Sequence, residues 1–186
     1  VRLTITVPRI AQRADRWEPL RDSILPQLHE GDELLAELDE PPHKDYGCWL
    51  RNKYIMEAKG DYILFADDDD LYLPDALAVI RQRIAGHPGK SLAFNAYFEY
   101  DGKRIITGGQ PIFGQGFRWF QEVYAQSQVI PIEQARVSRP WDGKSNNGLY
   151  SDQKFWDGGG AGSAPVHFSD IIIQCAIGRQ GKARDW

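Results

Sequence analysis

Cysteine is scarce in this 186-residue chain. Cys48 and Cys175 are too few and too far apart for a zinc pattern or a disulfide framework, and they fit a reducing, cytosolic setting. No apolar run reaches the roughly 18 residues that a membrane-spanning helix needs, and no secretory leader is evident. The expectation is therefore a cytoplasmic chain with no membrane span. Surplus positive charge is also missing: 22 Lys and Arg stand against 26 Asp and Glu, a net charge of −4, so composition gives no global argument for nucleic-acid binding. Val7 to Arg16 contains no glycine, which argues against the Gly-rich, basic phosphate loop expected near the start of a nucleotidyltransferase.

What is present is the composition of an ordinary globular protein, long enough for one domain (residues 1–186) with a substantial core. Six tryptophans and eight tyrosines would suit stacking on sugar rings or bases, although tryptophan more often serves as core. Five arginines between Arg2 and Arg21 form either a local basic face or, more simply, a solvated helix surface.

The first half alternates strands and helices. Leu3 to Val7 is alternating and β-branched, an opening strand ended by Pro8. Pro19 suits the first turn of a helix carrying Leu20, Ile24 and Leu28, which Pro26 should kink or shorten. Glu33 to Leu38 reads as a second strand, Trp49 to Lys59 as a helix stopped by Gly60, and Tyr62 to Ala66 as a buried strand. Pro74 should open a further helix with Leu77, Ile80 and Ile84 on one face. This β-α-β-α-β-α order predicts a parallel sheet with crossover helices. The second half predicts mixed pairing: a strand over Ser91 to Tyr100, a turn at Asp101-Gly102, a strand over Arg104 to Ile106, and another over Ser127 to Glu133. Thr107 to Gly116 reads as a Gly-rich loop, Ser151 to Trp156 as a short helix, and Asp157 to Pro165 as the most flexible segment.

The chain is organised around Gly60 to Pro74, where the apolar strand runs directly into Asp67-Asp68-Asp69-Asp70. Four adjacent carboxylates repel one another. They are accommodated either as a solvated acidic turn capping the next helix or around a hard divalent cation, which takes one or two carboxylates plus substrate phosphate oxygens. Ligands of open α/β sheets bind beyond the carboxyl ends of the strands, where this cluster falls.

Leu50-Arg51-Asn52, Gly60-Asp61-Tyr62-Ile63-Leu64-Phe65-Ala66, the aspartates and Pro74 together resemble the Arg-Asn helix, Gly-Asp/Glu-Tyr-Ile strand and Asp-X-Asp-Asp turn of family 2 glycosyltransferases. With looser matching the resemblance runs from Leu3 to Trp156. It implies an α/β, GT-A-like, Rossmann-type sheet, mainly parallel and mixed in its C-terminal half. Residues 1–90 would bind a nucleotide-sugar, a UDP-sugar first, and residues 91–186 would handle the acceptor. It further implies a divalent cation, Mn²⁺ or Mg²⁺, held by Asp69 with Asp67 nearby. Asp67 would face the ribose, and Asp68 is counted with it among the donor-binding residues. Asp70 would orient the metal shell or the acceptor, or cap the helix near Pro74.

Asp39 matches the family's nucleobase-binding aspartate, or is an exposed loop carboxylate beside Glu40. Arg51 matches an arginine that approaches base or phosphates, or lies on a helix surface. Asn52 would support that turn, and Lys53 is a lesser candidate for the diphosphate. Asp152 matches the general base of inverting transfer, with Ser151 in place of the family's Glu, or else is a helix N-cap. His167 matches a late histidine ligand to the metal or is structural, and Asp157 to Pro165 would be a lid. The opening strand departs from the family: Val7-Pro8-Arg9-Ile10 keeps only the proline of its Pro-Thr-Tyr-Asn turn, and Arg9 or Arg13 would reach the nucleotide only on a looser match. The acceptor is open: a glycan, a protein, a lipid-linked sugar or a modified nucleobase. Two rivals stand beside this reading. A Mg²⁺ phosphatase of the haloacid dehalogenase type also carries Asp-X-Asp, but on its first strand and usually followed by Thr or Val. A catalytically inactive GT-A-like binding module is the other.

Overall fold

Leu3–Thr6, the alternating β-branched stretch, forms β1, and all four of its residues are buried. The computed structural model describes residues 1–43, 45, 47–100, 103–107, 128–138 and 166–174, and of residues 12, 98–100, 103, 105, 107 and 167 the backbone alone. After β1, a 3₁₀ turn (Ala11–Arg13) leads into α1 (Ala14–Ile24). Pro19 lies well inside α1, not in its first turn. It is tolerated because it faces solvent, where water can satisfy the carbonyl one turn earlier. Pro26 ends the α-helix as expected, in a second 3₁₀ turn (Leu25–Gln27).

β2 (Glu33–Leu35) is shorter than the expected strand, yet the two chains stay side by side beyond it. Val7 N–H donates to Leu35 O at 2.8 Å, Arg9 N–H to Glu37 O at 3.1 Å, and Asp39 N–H to Arg9 O at 2.8 Å. Next come α2 (Cys48–Glu57), β3 (Tyr62–Phe65), a two-residue β4 (Leu71–Tyr72) and α3 (Ala76–Gly86). The helix after the aspartates thus begins two residues beyond Pro74, with Asp75 at its N-cap. Asp70 is not its cap, because β4 intervenes.

In the second half β5 (Leu92–Tyr100) and β6 (Lys103–Thr107) form the expected hairpin. β7 (Gln128–Pro131) stops short of the expected Glu133. Pro131 has no N–H to continue the ladder and instead sits at the N-cap of α4 (Ile132–Val137). β8 (Val166–Gln174) was not anticipated, although its β-branched and aromatic residues suit a strand. The expected loop at 107–116, helix at 151–156 and flexible segment at 157–165 lie outside the described residues, apart from Thr107 at the end of β6.

The eight strands among the described residues form one sheet ordered β2-β1-β3-β7-β5-β8-β4, with β6 beside β5. β1 runs parallel to β2 and β3, whereas β7 is antiparallel to both β3 and β5. The parallel first half and mixed second half are as expected.

Period-two alternation explains how both faces are covered. Leu3, Ile5, Tyr62, Leu64 and Ala66 pack with Leu20 and Ile24 of α1 and with Leu77, Ile80 and Ile84 of α3. Ile63 and Phe65 point the other way, to Cys48 and Ile55 of α2 and Ile132 and Ala135 of α4. A sheet sandwiched between helix layers needs its central strands apolar on both faces, as Tyr62–Phe65 is.

Gly60 sets the entry to β3. A Cβ there would lie 2.7 Å from Thr4 Oγ1 and 2.8 Å from the Thr4 backbone nitrogen, and backbone cannot move aside. Gly60→Ala is expected to cost about 1–3 kcal/mol through overpacking, read as a lower urea midpoint at unchanged m-value.

Candidate functional site

The alternation of β3 carries into the acidic turn. Odd-numbered residues of β3 face the α2 layer, and Asp67 continues that parity: Arg51 Nη2 of α2 lies 2.5 Å from Asp67 Oδ1. Even-numbered residues face the α1 layer, and Asp68 points there. Arg13 Nη1 lies 2.8 Å from Asp68 Oδ1, and Ile10 N–H donates to Asp68 Oδ2 at 2.9 Å. Asp69 Oδ2 accepts from Arg13 Nη1 at 2.9 Å and Arg16 Nη1 at 3.0 Å. The turn closes on itself where Asp70 N–H donates to Asp67 O at 3.1 Å, and Asp70 Oδ2 lies 3.4 Å from Asp67 N.

The four carboxylates are therefore not equivalent. Asp68 and Asp70 are each 3% exposed, whereas the side chains of Asp67 and Asp69 keep 17%. Burial pushes the Asp68 carboxyl up to about 6, reinforced by Asp67 and Asp69 and opposed by the Arg13 guanidinium and the Ile10 N–H. Asp68 is thus a buried tie between the acidic turn and the segment after β1.

Of the five arginines over residues 2–21, Arg2 and Arg21 remain at the solvent surface, and the structure corrects the expectation of a solvated surface for the others. Arg13 and Arg16 turn onto the aspartates, and the Arg9 guanidinium lies 4.6 Å from the Trp17 ring centre. The role of Arg16 was missed in the sequence. A signal existed: Arg13 and Arg16 sit at the start of α1, where the helix dipole disfavours cations, so a nearby acidic partner is needed.

Arg51 is not a helix-surface residue either. It is 7% exposed, and its position is fixed from several sides. Gly47, before α2, has φ +75°, and a Cβ there would come within 2.7 Å of Pro8 and 3.2 Å of Arg51 Nη1. Tyr54, one turn along α2, accepts from Glu37 N–H at 2.6 Å, and burial pushes its phenol up to about 12. Arg136 of α4 donates to Ala58 O at 2.8 Å and to Ile55 O at 3.4 Å, satisfying carbonyls at the end of α2.

Asp39 is not an exposed loop carboxylate. It is 8% exposed and meets His43 twice: Nδ1 at 2.5 Å from Oδ1, and the backbone N–H at 3.0 Å from Oδ2. The His43 ring stacks on Trp49 at 4.3 Å. Lys53 pairs with Glu37 at 2.6 Å and lies 5.8 Å from the Trp49 ring.

The structure brings together Asp67, Asp68, Asp69 and Arg51, and places Asp39 beside the Arg9 backbone near the ends of β1 and β2. His167, whose backbone alone is described, is the second residue of β8, opposite Ala93, while Ile173 and Gln174 pair with β4 directly after the aspartates. Asp152 and the lid segment lie outside the described residues.

Among the described residues no three His, Cys, Asp or Glu side chains converge as a cage for a metal ion. Asp67 and Asp69, both reaching the surface of one turn, fit the other mode, in which one or two carboxylates hold Mg²⁺ or Mn²⁺ and substrate phosphates complete the shell.

The acidic turn stands at the carboxyl ends of the parallel strands, beside the switch point between β1 and β3. The family profile described as glycosyl transferase family 2 matches residues 38–141, more than half of the chain. The chain belongs to glycosyl transferase family 2. Among solved structures, S. aureus TarS 1-349 superposes with a TM-score of 0.65 at 12% identity, over 94% of this chain and 60% of that one. TarS 1-349 in complex with UDP-GlcNAc gives 0.64 at 13% identity, over 98% and 60%. A197 from STIV gives 0.50 at 9% identity, over 93% and 83%. At these identities the likeness is one of fold, the GT-A architecture that the sequence suggested. The chain spans about 60% of the length of the TarS 1-349 structures. No helix among the described residues is long and apolar enough to cross a membrane.

Asp68→Ala is expected to cost about 1–3 kcal/mol, since it leaves the Ile10 N–H without its acceptor and removes one of the carboxylates held by Arg13. Chemical denaturation would measure it. A change below about 0.5 kcal/mol, the range of an ordinary surface substitution, would contradict the tie assigned to Asp68.

Proposed function

We propose that the protein transfers a sugar from a nucleotide-diphosphate-sugar, a UDP-sugar first, to an acceptor hydroxyl, with Mn²⁺ or Mg²⁺ at Asp69 and Asp67. The observation that carries this reading is the arginine-backed acidic turn at the β1/β3 switch point, in a chain whose residues 38–141 match the family. UDP and UDP-GlcNAc complexes of the TarS fold relatives support uridine donors as the first class to test.

In this reading the protein is one domain: residues 1–90 hold the donor and 91–186 meet the acceptor. Asp39 and Arg51 orient the nucleotide, Asp67 faces the ribose, and Asp68 keeps the turn in place beneath them. When bound, the cation supplies Lewis-acid stabilisation of the charge that develops on the leaving diphosphate. The bond from the anomeric carbon to the diphosphate oxygen breaks, and the nucleoside diphosphate keeps the electron pair. A new bond forms to the acceptor oxygen from the opposite face, with inversion. Asp152 takes the acceptor's proton as general base. The acceptor is a glycan, a protein, a lipid-linked sugar or a modified nucleobase, and the reaction runs in the cytoplasm.

Calorimetric titration of a panel of nucleotides and nucleotide-sugars, with and without Mn²⁺, tests the donor site. One nucleotide is expected to bind in a metal-dependent way and to lose at least about tenfold in affinity in Asp69→Ala, the loss of one charge-assisted contact. Absence of binding to every nucleotide in both metal conditions would sink the donor assignment.

For the base, Asp152→Asn is expected to keep donor binding and to lower the transfer rate by about 10²–10⁴. Donor binding without transfer in the unmutated protein, across a panel of acceptors, would favour the inactive binding module.

A further inference from the structure

Asp69 is held by two arginines that are not equivalent. Arg13 Nη1 bridges Asp68 and Asp69 at 2.8 and 2.9 Å, and its side chain is 13% exposed. It is anchored by Asp68, which is itself buried and fixed by the Ile10 N–H. Arg16 reaches Asp69 from the first turn of α1 at 3.0 Å, keeps 40% of its side chain exposed, and makes no other ion pair among the described residues. A divalent cation seated on Asp69 would lie within a few ångströms of both guanidinium groups, and like charges at that range repel strongly in a partly buried site. One of the two must yield. Arg13 is tied to a second carboxylate, whereas Arg16, among the described residues, pairs with Asp69 alone and keeps a partly exposed side chain.

We propose that Arg16 is an exchangeable countercharge: it neutralises Asp69 in the unliganded protein, is displaced by the divalent cation, and then binds the donor's diphosphate beside that cation. The proposal rests on the donor-site reading and adds a residue to it. The same guanidinium serves two anions in succession, and both suit it: a carboxylate when the site is empty of donor, and a phosphate oxygen when donor and metal arrive together. Metal and donor binding are thereby linked. Metal alone must break the Arg16–Asp69 pair without recompense, while metal with diphosphate gives Arg16 a new partner. Binding of metal alone is therefore weak, and the two ligands favour one another.

This arrangement has a signature that a purely structural arginine lacks. Removing the Arg16 charge takes away a competitor of the metal and a ligand of the diphosphate, so its two effects have opposite signs. The test uses Arg16→Gln and Arg16→Lys, with Mn²⁺ alone and with UDP as probes. Free Mn²⁺ is followed by electron paramagnetic resonance, and UDP binding by calorimetry with and without saturating Mn²⁺.

Arg16→Gln is expected to tighten binding of Mn²⁺ alone by about three- to tenfold and to weaken UDP binding in saturating Mn²⁺ by about tenfold, the scale of one charge-assisted contact. Arg16→Lys is expected to fall between Arg16→Gln and the unmutated protein on both measures. Shifts in the same direction, unchanged Mn²⁺ affinity, or Mn²⁺ binding undetectable in both the unmutated protein and Arg16→Gln would overturn the exchange. Failure of the exchange alone leaves the unmutated protein binding UDP in a metal-dependent way. Failure of the donor-site reading instead removes nucleotide binding from the unmutated protein as well.

Discussion

Four consecutive carboxylates at the end of a buried strand form a turn that needs countercharge to fold. Neighbouring carboxylates about 5 Å apart repel by about 3 kcal/mol at an effective dielectric of about 20, and a guanidinium about 4 Å away returns an attraction of about 4 kcal/mol. The turn is thus tolerable only where arginines converge on it. They do so from two elements on opposite faces of the sheet: Arg51 from α2, and Arg13 with Arg16 from the start of α1. The strand's own alternation directs the traffic, because Asp67 inherits the face of Phe65 and Asp68 that of Ala66.

Much of the surrounding structure serves to hold those arginines still. α2 is fastened at its start by the close approach of Gly47 to Pro8, at its middle by Tyr54 on the Glu37 N–H, and at its end by Arg136 on its carbonyls. The far end of α1 is fastened to the segment after the aspartates. Ser23 Oγ accepts from Tyr72 N–H at 3.1 Å, and Gln27 donates to Leu73 O at 3.0 Å while accepting from Leu77 N–H at 3.0 Å. The acidic turn is thereby clamped on both sides, with the apolar layers on each face of β3 beneath it.

The central strands were legible in the sequence because their signal is local. Leu3–Thr6 and Tyr62–Phe65 show period two or continuous apolarity whatever surrounds them, and the family match spans the Arg51-Asn52 helix and the Asp run on which the resemblance was read. What was not legible depends on distant partners. Nothing near Arg16 in sequence names Asp69, 53 residues away, and Arg13 meets Asp68 across 55. β4 is two residues long and exists only because β8 pairs with it. Asp39 could be taken for an exposed carboxylate because its partner, His43, lies beyond two prolines that read as open loop. Pro19 was judged by the position proline prefers, whereas it sits on an exposed face inside α1, where its missing N–H does little harm.

The burial of Asp68 between two surface carboxylates explains why a run of four aspartates need not be four ligands. Desolvation and the fixed contacts to Arg13 and the Ile10 N–H commit Asp68 to the fold, and Asp70 is equally buried beside the Asp67 backbone. That leaves Asp67 and Asp69, whose side chains stay 17% exposed, as the pair that would meet a ligand in the proposed donor site. Two carboxylates make a poor metal cage and a good half-site: they bind a hard cation weakly until phosphate oxygens complete its shell. In the proposed donor site, an acidic turn built in this way would favour the cation and the diphosphate together over either alone. In that reading the arginines around it set how strong the preference is.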